Sequence, residues 1–372
     1  MKRLWIILCI FLIHQGLNVY RGERKRVMAV TIKDVAQLAN VAPSTVSRVI
    51  ANNPRISEKT KVRVREAMEK LGYHPNFIAR SLANQSTQIL GLVMPGSSET
   101  FFNNPTFATI LRGLSEGARE RKYSLLMNTG NSDEEIFEGV VEMVQGGMVD
   151  GIILMYSRMN DHTITYLQSR NFPFVLIGKP YEFAEEITYV DNDNYLAAKE
   201  ATNYLLDLGH KKVGFIGGHS KLVMTHDRLL GYEGALKEHG IVPRNDYIFY
   251  EEALREEMHE VMQNLLSLSE VPTALVVHDD LMALSIMNNL RSLGCLTPEH
   301  MSIVSLNNTL FSEISLSSFT SIDTNMYHTG YQAARCLVQK LASPGERIQS
   351  AIIPHHFVER DSCQRVQAEM LV

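Results

Sequence analysis

Thr31-Ile32-Lys33-Asp34-Val35-Ala36-Gln37-Leu38-Ala39-Asn40-Val41-Ala42-Pro43-Ser44-Thr45-Val46-Ser47-Arg48-Val49-Ile50 is the stretch on which the reading of this chain turns. Ile32, Val35, Ala36 and Ala39 recur at the spacing of one apolar helix face. Asn40-Val41-Ala42 breaks the pattern, and Pro43 suits the first turn of a second helix, where its missing N–H costs nothing. That helix turns Val46, Val49 and Ile50 inward and leaves Ser44, Thr45, Ser47 and Arg48 on its other side. Asn52-Asn53-Pro54 ends it. Ser57-Glu58 opens a third helix, whose Val64, Ala67, Met68 and Leu71 form another stripe up to Gly72. Three short helices with a tight first break predict a helix-turn-helix, although the periodicity also fits a generic helical bundle. Small polar side chains on the second helix suit a DNA major groove, and Arg48 can fork onto guanine or hold a phosphate.

The charge is unevenly spread. The 372 residues carry a net −5, yet residues 1–27 hold six Lys/Arg against one acid, and residues 28–85 hold nine against four. Each segment is therefore +5, and the remaining 287 residues, with 21 basic against 36 acidic, carry −15. A small basic module on an acidic body can meet a polyanion by one face only.

Residues 31–36 (Thr-Ile-Lys-Asp-Val-Ala), 45–49 (Thr-Val-Ser-Arg-Val) and 71–76 (Leu-Gly-Tyr-His-Pro-Asn) together resemble, in order and spacing, the signature of the LacI/GalR transcriptional regulators. Ala79-Arg80-Ser81-Leu82 resembles that family's hinge helix, in which a leucine wedges into the minor groove. The resemblance spans about residues 29–365. It implies DNA contacts from Thr31, Lys33, Ser44, Thr45, Ser47, Arg48, Tyr73, Asn76, Arg80 and Leu82. One position departs from the pattern: Ala42 stands where the family usually caps its recognition helix with Ser or Thr, and a lost cap costs about 0.5–2 kcal/mol.

From residue 88 onward, short apolar runs alternate with helical patterns. Ile89–Met94, Tyr123–Met127, Gly151–Tyr156, Phe174–Ile177, Lys212–Ile216, Thr273–Val277 and Ser302–Leu306 read as strands. Thr106–Arg121 and Tyr195–Leu208 read as helices between them. Such alternation predicts βαβ units and parallel sheets, and so many strands predict two lobes with a ligand crevice at the strands' carboxyl ends. The overall expectation is an α/β protein: a small all-α helix-turn-helix head plus a two-lobed, doubly wound core, which the resemblance makes similar to periplasmic binding proteins. The expected boundaries are a head at 28–75, a hinge at 76–87 and an effector-binding and dimerisation core at 88–372. Lobe 1 is expected at about 88–189 and 325–351, and lobe 2 at about 190–324 and 352–366.

Val190-Asp191-Asn192, Leu208-Gly209-His210 and Arg228-Leu229-Leu230-Gly231-Tyr232 resemble the family's sugar-sensing core. The resemblance implies that Arg228 holds effector oxygens, a task suited to a planar fork of donors. It matches Asp279 to an acceptor of sugar hydroxyls, with Asp280 expected to cap the following helix. Asn307 and Asn308 stand where the family usually has Asp-Asp. Phe107 matches an aromatic that contacts effector; Phe101 and Phe102 fit either the crevice or core packing. Tyr156 and Lys179 complete the candidate effector site with Phe102, Phe107, Arg228, Asp279 and Asn307. Gly178 replaces a common Asp and is expected to open space for a disaccharide. With the Asn pair, it resembles the maltose-operon repressors of Gram-positive bacteria, and so implies maltose or a related α-glucoside.

Residues 1–27 are expected to be a non-native extension, with translation starting at Met28. Leu4–Ile13 is apolar behind Lys2 and Arg3, but it is about half a bilayer span and lacks a cleavage site. Arg21-Gly22-Glu23-Arg24-Lys25 is what a purine-rich ribosome-binding site encodes when read in frame. Four separated cysteines suggest neither a disulfide framework nor zinc. No nucleophile motif, metal-spaced cluster or phosphate loop is found, so neither an enzyme nor a cofactor or metal is expected. The implied partners are double-stranded operator DNA, a small sugar and a second copy of the chain, in the cytoplasm and without membrane contact. A global catabolite regulator answering a phosphorylated carrier protein, or a secreted sugar-binding protein, are the alternatives; the second leaves Thr31–Leu82 unexplained.

Overall fold

The computed structural model describes residues 30–73, 86–96, 103–346 and 349–366. They fall into two units, Met1–Gln85 and Ser86–Val372. The expected contacts at Phe101, Phe102, Asn76, Arg80 and Leu82 lie outside the described residues, as do residues 1–27 and the hinge up to residue 85.

In the first unit, α1 (Ile32–Leu38), α2 (Pro43–Ile50) and α3 (Glu58–Leu71) form the three-helix pattern the periodicity predicts. The inward stripes meet: Val35, Ala36, Ala39, Val46, Val49, Val64 and Ala67 are buried together, with Tyr73 packed against them. Pro43 sits in the first turn of α2, and its N-cap residue Ala42 offers no side-chain cap.

The second unit holds two six-stranded sheets. The first has the order β11-β5-β4-β3-β1-β2, built from β1 (Ile89–Val93), β2 (Ser124–Asn128), β3 (Gly151–Leu154), β4 (Phe174–Ile177), β5 (Tyr189–Asn192) and β11 (Ala351–Ile353). Its strands are all parallel. The second has the order β12-β10-β9-β8-β6-β7, from β6 (Val213–Gly217), β7 (Ile248–Tyr250), β8 (Ala274–Val277), β9 (Ser302–Leu306), β10 (Thr320–Asp323) and β12 (His356–Val358). Only β12 runs antiparallel. Helices cover both faces, which is why these strands read as unbroken apolar runs. In β3, Ile153 faces α4 (Pro105–Glu120) and α12 (Met326–Ala342). Ile152 and Leu154 face α5 (Asp133–Gln145) and α6 (His162–Ser169) on the opposite side.

Lobe 2 repeats the scheme with α7 (Asn194–Asp207) and α8 (Val223–Glu238) on one face, and α9 (Glu251–Leu266) and α10 (Asp280–Ser292) on the other. A Cβ on Gly231 would lie 2.1 Å from the carbonyl oxygen of Tyr195, so glycine alone lets α7 and α8 approach this closely. The chain crosses between lobes three times, after β5, β10 and β11. Strands β5 and β11 extend to Asn192 and Ile353, slightly beyond the lobe limits expected near 189 and 351. The short strands β5, β7, β10, β11 and β12 had no separate strand signal in the sequence. Ser86 and Thr87, the described end of the expected hinge segment, bond to the Asp150 carboxylate (Oγ to Oδ2 2.5 Å and N to Oδ1 2.6 Å) beside β3.

Candidate functional site

Residues following strands of both sheets meet around Arg228, which α8 carries into the interior at 1% exposure. Its Nε donates to Oδ1 of Asn194 at 2.9 Å, and its Nη1 donates to the His278 carbonyl at 2.9 Å and lies 3.1 Å from His278 Nδ1. Its Nη2 is buried and finds no partner among the described residues. Asn194 in turn donates to Asp191 Oδ1 at 3.0 Å, and Asp191 also accepts the backbone N–H groups of Lys179 and Asn192, each at 2.8 Å. The ends of β4 and β5 in lobe 1 are thus tied to an arginine of lobe 2.

Burial dominates the electrostatics. It pushes the Asp191 carboxyl up to about 6 despite its N–H donors and the nearby Arg228 charge. It lowers Arg228 to about 10, leaving it charged at neutral pH. Burial, then the Arg228 charge, brings His278 down to about 3, so its imidazole is neutral and Nδ1 can accept. A charged guanidinium with both N–H groups of Nη2 unfilled in a desolvated place is suited to hydroxyl or carboxylate oxygens.

Asp279 and Asn307 join this group, at 8% and 9% exposure. Asp279 Oδ1 accepts the Met282 N–H at 2.7 Å, capping α10, and Oδ2 accepts from Asn104 Nδ2 of lobe 1 at 2.8 Å. Asn307 donates to Thr106 Oγ1 at 3.3 Å and accepts from Thr324 Oγ1 at 2.9 Å. The cap expected at Asp280 is therefore corrected: Asp279 caps the helix, because its extended backbone precedes the first turn. Asp280, one residue further in, is buried and gathers Ser305 Oγ, Ser321 Oγ and the Thr309 N–H, joining β9, β10 and the turn after β9.

The remaining candidates are placed differently. Tyr156 is not brought to Arg228; it is buried in the lobe 1 core with the Arg158 guanidinium 4.6 Å over its ring. Phe107 is half-buried on α4 against the other lobe 1 cluster. The Lys179 side chain is exposed, and its positive charge opposes the upward push that burial gives Asp227. At Gly178 φ is +104°, and a Cβ there would sit 3.1 Å from Cβ of Ser157. Backbone geometry and Ser157 account for the glycine. Asn104, Thr106, Asn194 and Thr324 were not singled out. Asn104 does carry a readable signal, an Asn before a helix-opening Pro. A larger hollow of about 550 Å³ lies between α7 and β12, lined by Leu196, Lys199, Tyr204 and His355. It lacks the convergent buried polar groups found around Arg228.

In the head, Lys33, Ser44, Ser47 and Arg48 are exposed and Thr45 is half-buried, so α2 presents a polar face backed by Val46 and Val49. The Thr31 hydroxyl donates to Asp34 at 2.8 Å, and the same carboxylate accepts the Thr31 N–H at 2.7 Å. These bonds hold Asp34 below its ordinary range. Tyr73 packs on the head core and its ring is only partly available.

A helix-turn-helix with an exposed polar second helix, in one chain with a two-lobed α/β body around a buried arginine, defines a DNA-binding regulator with a ligand-binding domain. Comparison with known proteins agrees. Residues 31–76 match the bacterial regulatory proteins of the lacI family, and residues 202–363 match a periplasmic binding protein-like domain. The HTH-type transcriptional regulator MalR of Streptococcus pneumoniae is 42% identical over 262 residues, 70% of this chain and 79% of that protein. A LacI-type regulator structure from Bacillus cereus subsp. cytotoxis is 47% identical, with a TM-score of 0.73 over 75% of this chain and 99% of that one. A structure described as a probable maltose operon repressor from Staphylococcus aureus is 28% identical, with a TM-score of 0.70 over 76% and 99% of the two chains. This chain belongs to the lacI family and is a transcriptional regulator, not an enzyme. Among the described residues, no helix is long and apolar enough to cross a membrane.

Proposed function

We propose that this regulator is a cytoplasmic repressor of a sugar-utilisation operon, released from its operator by maltose or a related α-glucoside. The unfilled Nη2 of Arg228, beside Asp279 and Asn307, carries the ligand half of this reading. The likeness to a probable maltose operon repressor supports the choice of sugar. Ser44, Thr45, Ser47 and Arg48 meet base edges or phosphates; Lys33, Thr31, Tyr73, Asn76 and Arg80 position the head, and Leu82 enters the minor groove. The chain acts as a homodimer, since one head makes too few contacts for useful affinity. Leu310, Ile314 and Leu316, on and after the short helix α11 (Leu310–Ile314), support a self-association face: they are 63%, 64% and 76% exposed.

Fluorescence polarisation with the chain's own promoter fragment tests the reading. Maltose is expected to weaken binding by at least about tenfold, equivalent to about 1.4 kcal/mol of coupling. The Arg228→Lys variant, which retains the charge but loses the fork, is expected to bind DNA normally and to ignore the sugar. A maltose effect below about twofold (well under 1 kcal/mol) ends the effector assignment. Absence of salt-sensitive binding to the promoter would end the operator assignment.

A further inference from the structure

We infer that Asn104 is the residue through which the crevice senses its ligand: its amide holds Asp279 across the lobes, and an entering sugar hydroxyl replaces it there. The inference rests on the sugar-effector reading above. Asn104 Oδ1 caps α4 by accepting the Thr106 N–H at 3.0 Å, which fixes the amide so that Nδ2 reaches Asp279 Oδ2 at 2.8 Å. A buried carboxylate needs a donor on each oxygen. Asp279 has the Met282 N–H on one and Asn104 on the other. A carboxylate oxygen can accept more than one hydrogen bond, but a ligand hydroxyl that takes the place Asn104 holds on Oδ2 displaces a bond that joins the lobes.

On the crossover side the Asp191–Asn194–Arg228 chain also ties the lobes, and two further connections are of other kinds. Val223 N donates to Ser157 O and Met159 N donates to Lys221 O, both at 3.1 Å, a backbone strap between the lobes. At the crossovers, Asn192 Nδ2 donates to the carbonyls of Thr324 at 2.7 Å and Ile353 at 3.0 Å, tying all three passages of the chain. The side-chain pairs Asn104–Asp279 and Thr106–Asn307 are thus the edge at which the lobes can part. The cavity beside Thr106 and Asn307 measures about 190 Å³.

Full-length Asn104→Ser and Asn104→Asp variants test the inference. Both keep an oxygen to cap α4; serine is too short to reach Asp279, and aspartate sets one carboxylate against another. In sugar-free protein, amide exchange over residues 103–110 and 279–283 is expected to be at least threefold faster in Asn104→Ser, and faster still in Asn104→Asp (about 1 kcal/mol per lost hydrogen bond). Unchanged exchange in both variants overturns the inference, whatever the sugar does. Calorimetry with maltose is expected to give Asn104→Ser an affinity about threefold to tenfold above wild type. Equal or weaker affinity also overturns it. Failure of wild type to bind maltose defeats the sugar reading alone, and hydrogen exchange still decides the role of Asn104.

Discussion

Arg228 carries a full charge into a place with almost no solvent, and its neighbours divide the work of holding it. Asn194 takes Nε, the His278 carbonyl and ring take Nη1, and Asp191 supplies negative charge through Asn194. The arrangement makes Asp191 sensitive to pH, because burial raises its carboxyl from 3.8 to about 6. A native acid with a raised pKa contributes stability that is complete below the unfolded value and lost as pH climbs through the folded one. Between pH 4 and 6 the native protein binds the extra proton, so this group's contribution falls by about 1.4 kcal/mol per pH unit on alkalinisation. Asp191→Asn keeps a similar shape without the titration. Its thermal stability relative to wild type is expected to improve as pH rises from 4 to 7; a constant difference across that range overturns the assignment.

At the scale of elements, α2 is the helix placed to meet DNA, and its start is the weak point of the head. Ala42 holds an extended backbone (φ −70°, ψ 148°) appropriate to an N-cap, and its carbonyl accepts the Thr45 N–H at 2.8 Å, yet it has no side-chain oxygen to offer the first amides of the helix. By contrast, Ser57 accepts from the Thr60 N–H at 3.3 Å and caps α3. Ala42→Ser is expected to supply the missing acceptor without altering the Val46–Val49 contacts, stabilising the head by about 0.5–2 kcal/mol. Slower amide exchange at Ser44 and Thr45 would register the gain; unchanged exchange would show that Pro43 already secures this turn.

The whole molecule separates two surfaces of opposite charge, a basic head segment and a body carrying −15. Such a body repels DNA, so binding depends on the head and falls with salt, because releasing the DNA's counterions gains less as salt rises. Under the homodimer proposed above, self-association raises affinity by placing two heads on one site. The double variant Ile314→Glu/Leu316→Glu puts charges on the exposed apolar face after β9 and is expected to sediment as a monomer. Its operator affinity is expected to fall by at least about tenfold, as loss of a central apolar contact does in other interfaces. A dimer of unchanged affinity would move the self-association face elsewhere.

Much was legible before any coordinates. The three head helices and the strands β4 and β9 to the residue were written in periodicity, turn residues and motif wording, all local properties of neighbouring side chains. Asp280 was read as a cap and Tyr156 for the crevice; the first gathers Ser305, Ser321 and Thr309, and the second packs in the lobe 1 core. The shared reason is that a side chain's direction, and what it meets, depend on residues far along the chain. Asn104 meets Asp279 across 175 positions, a pairing set by how two sheets pack and cross three times, so folding alone could decide it.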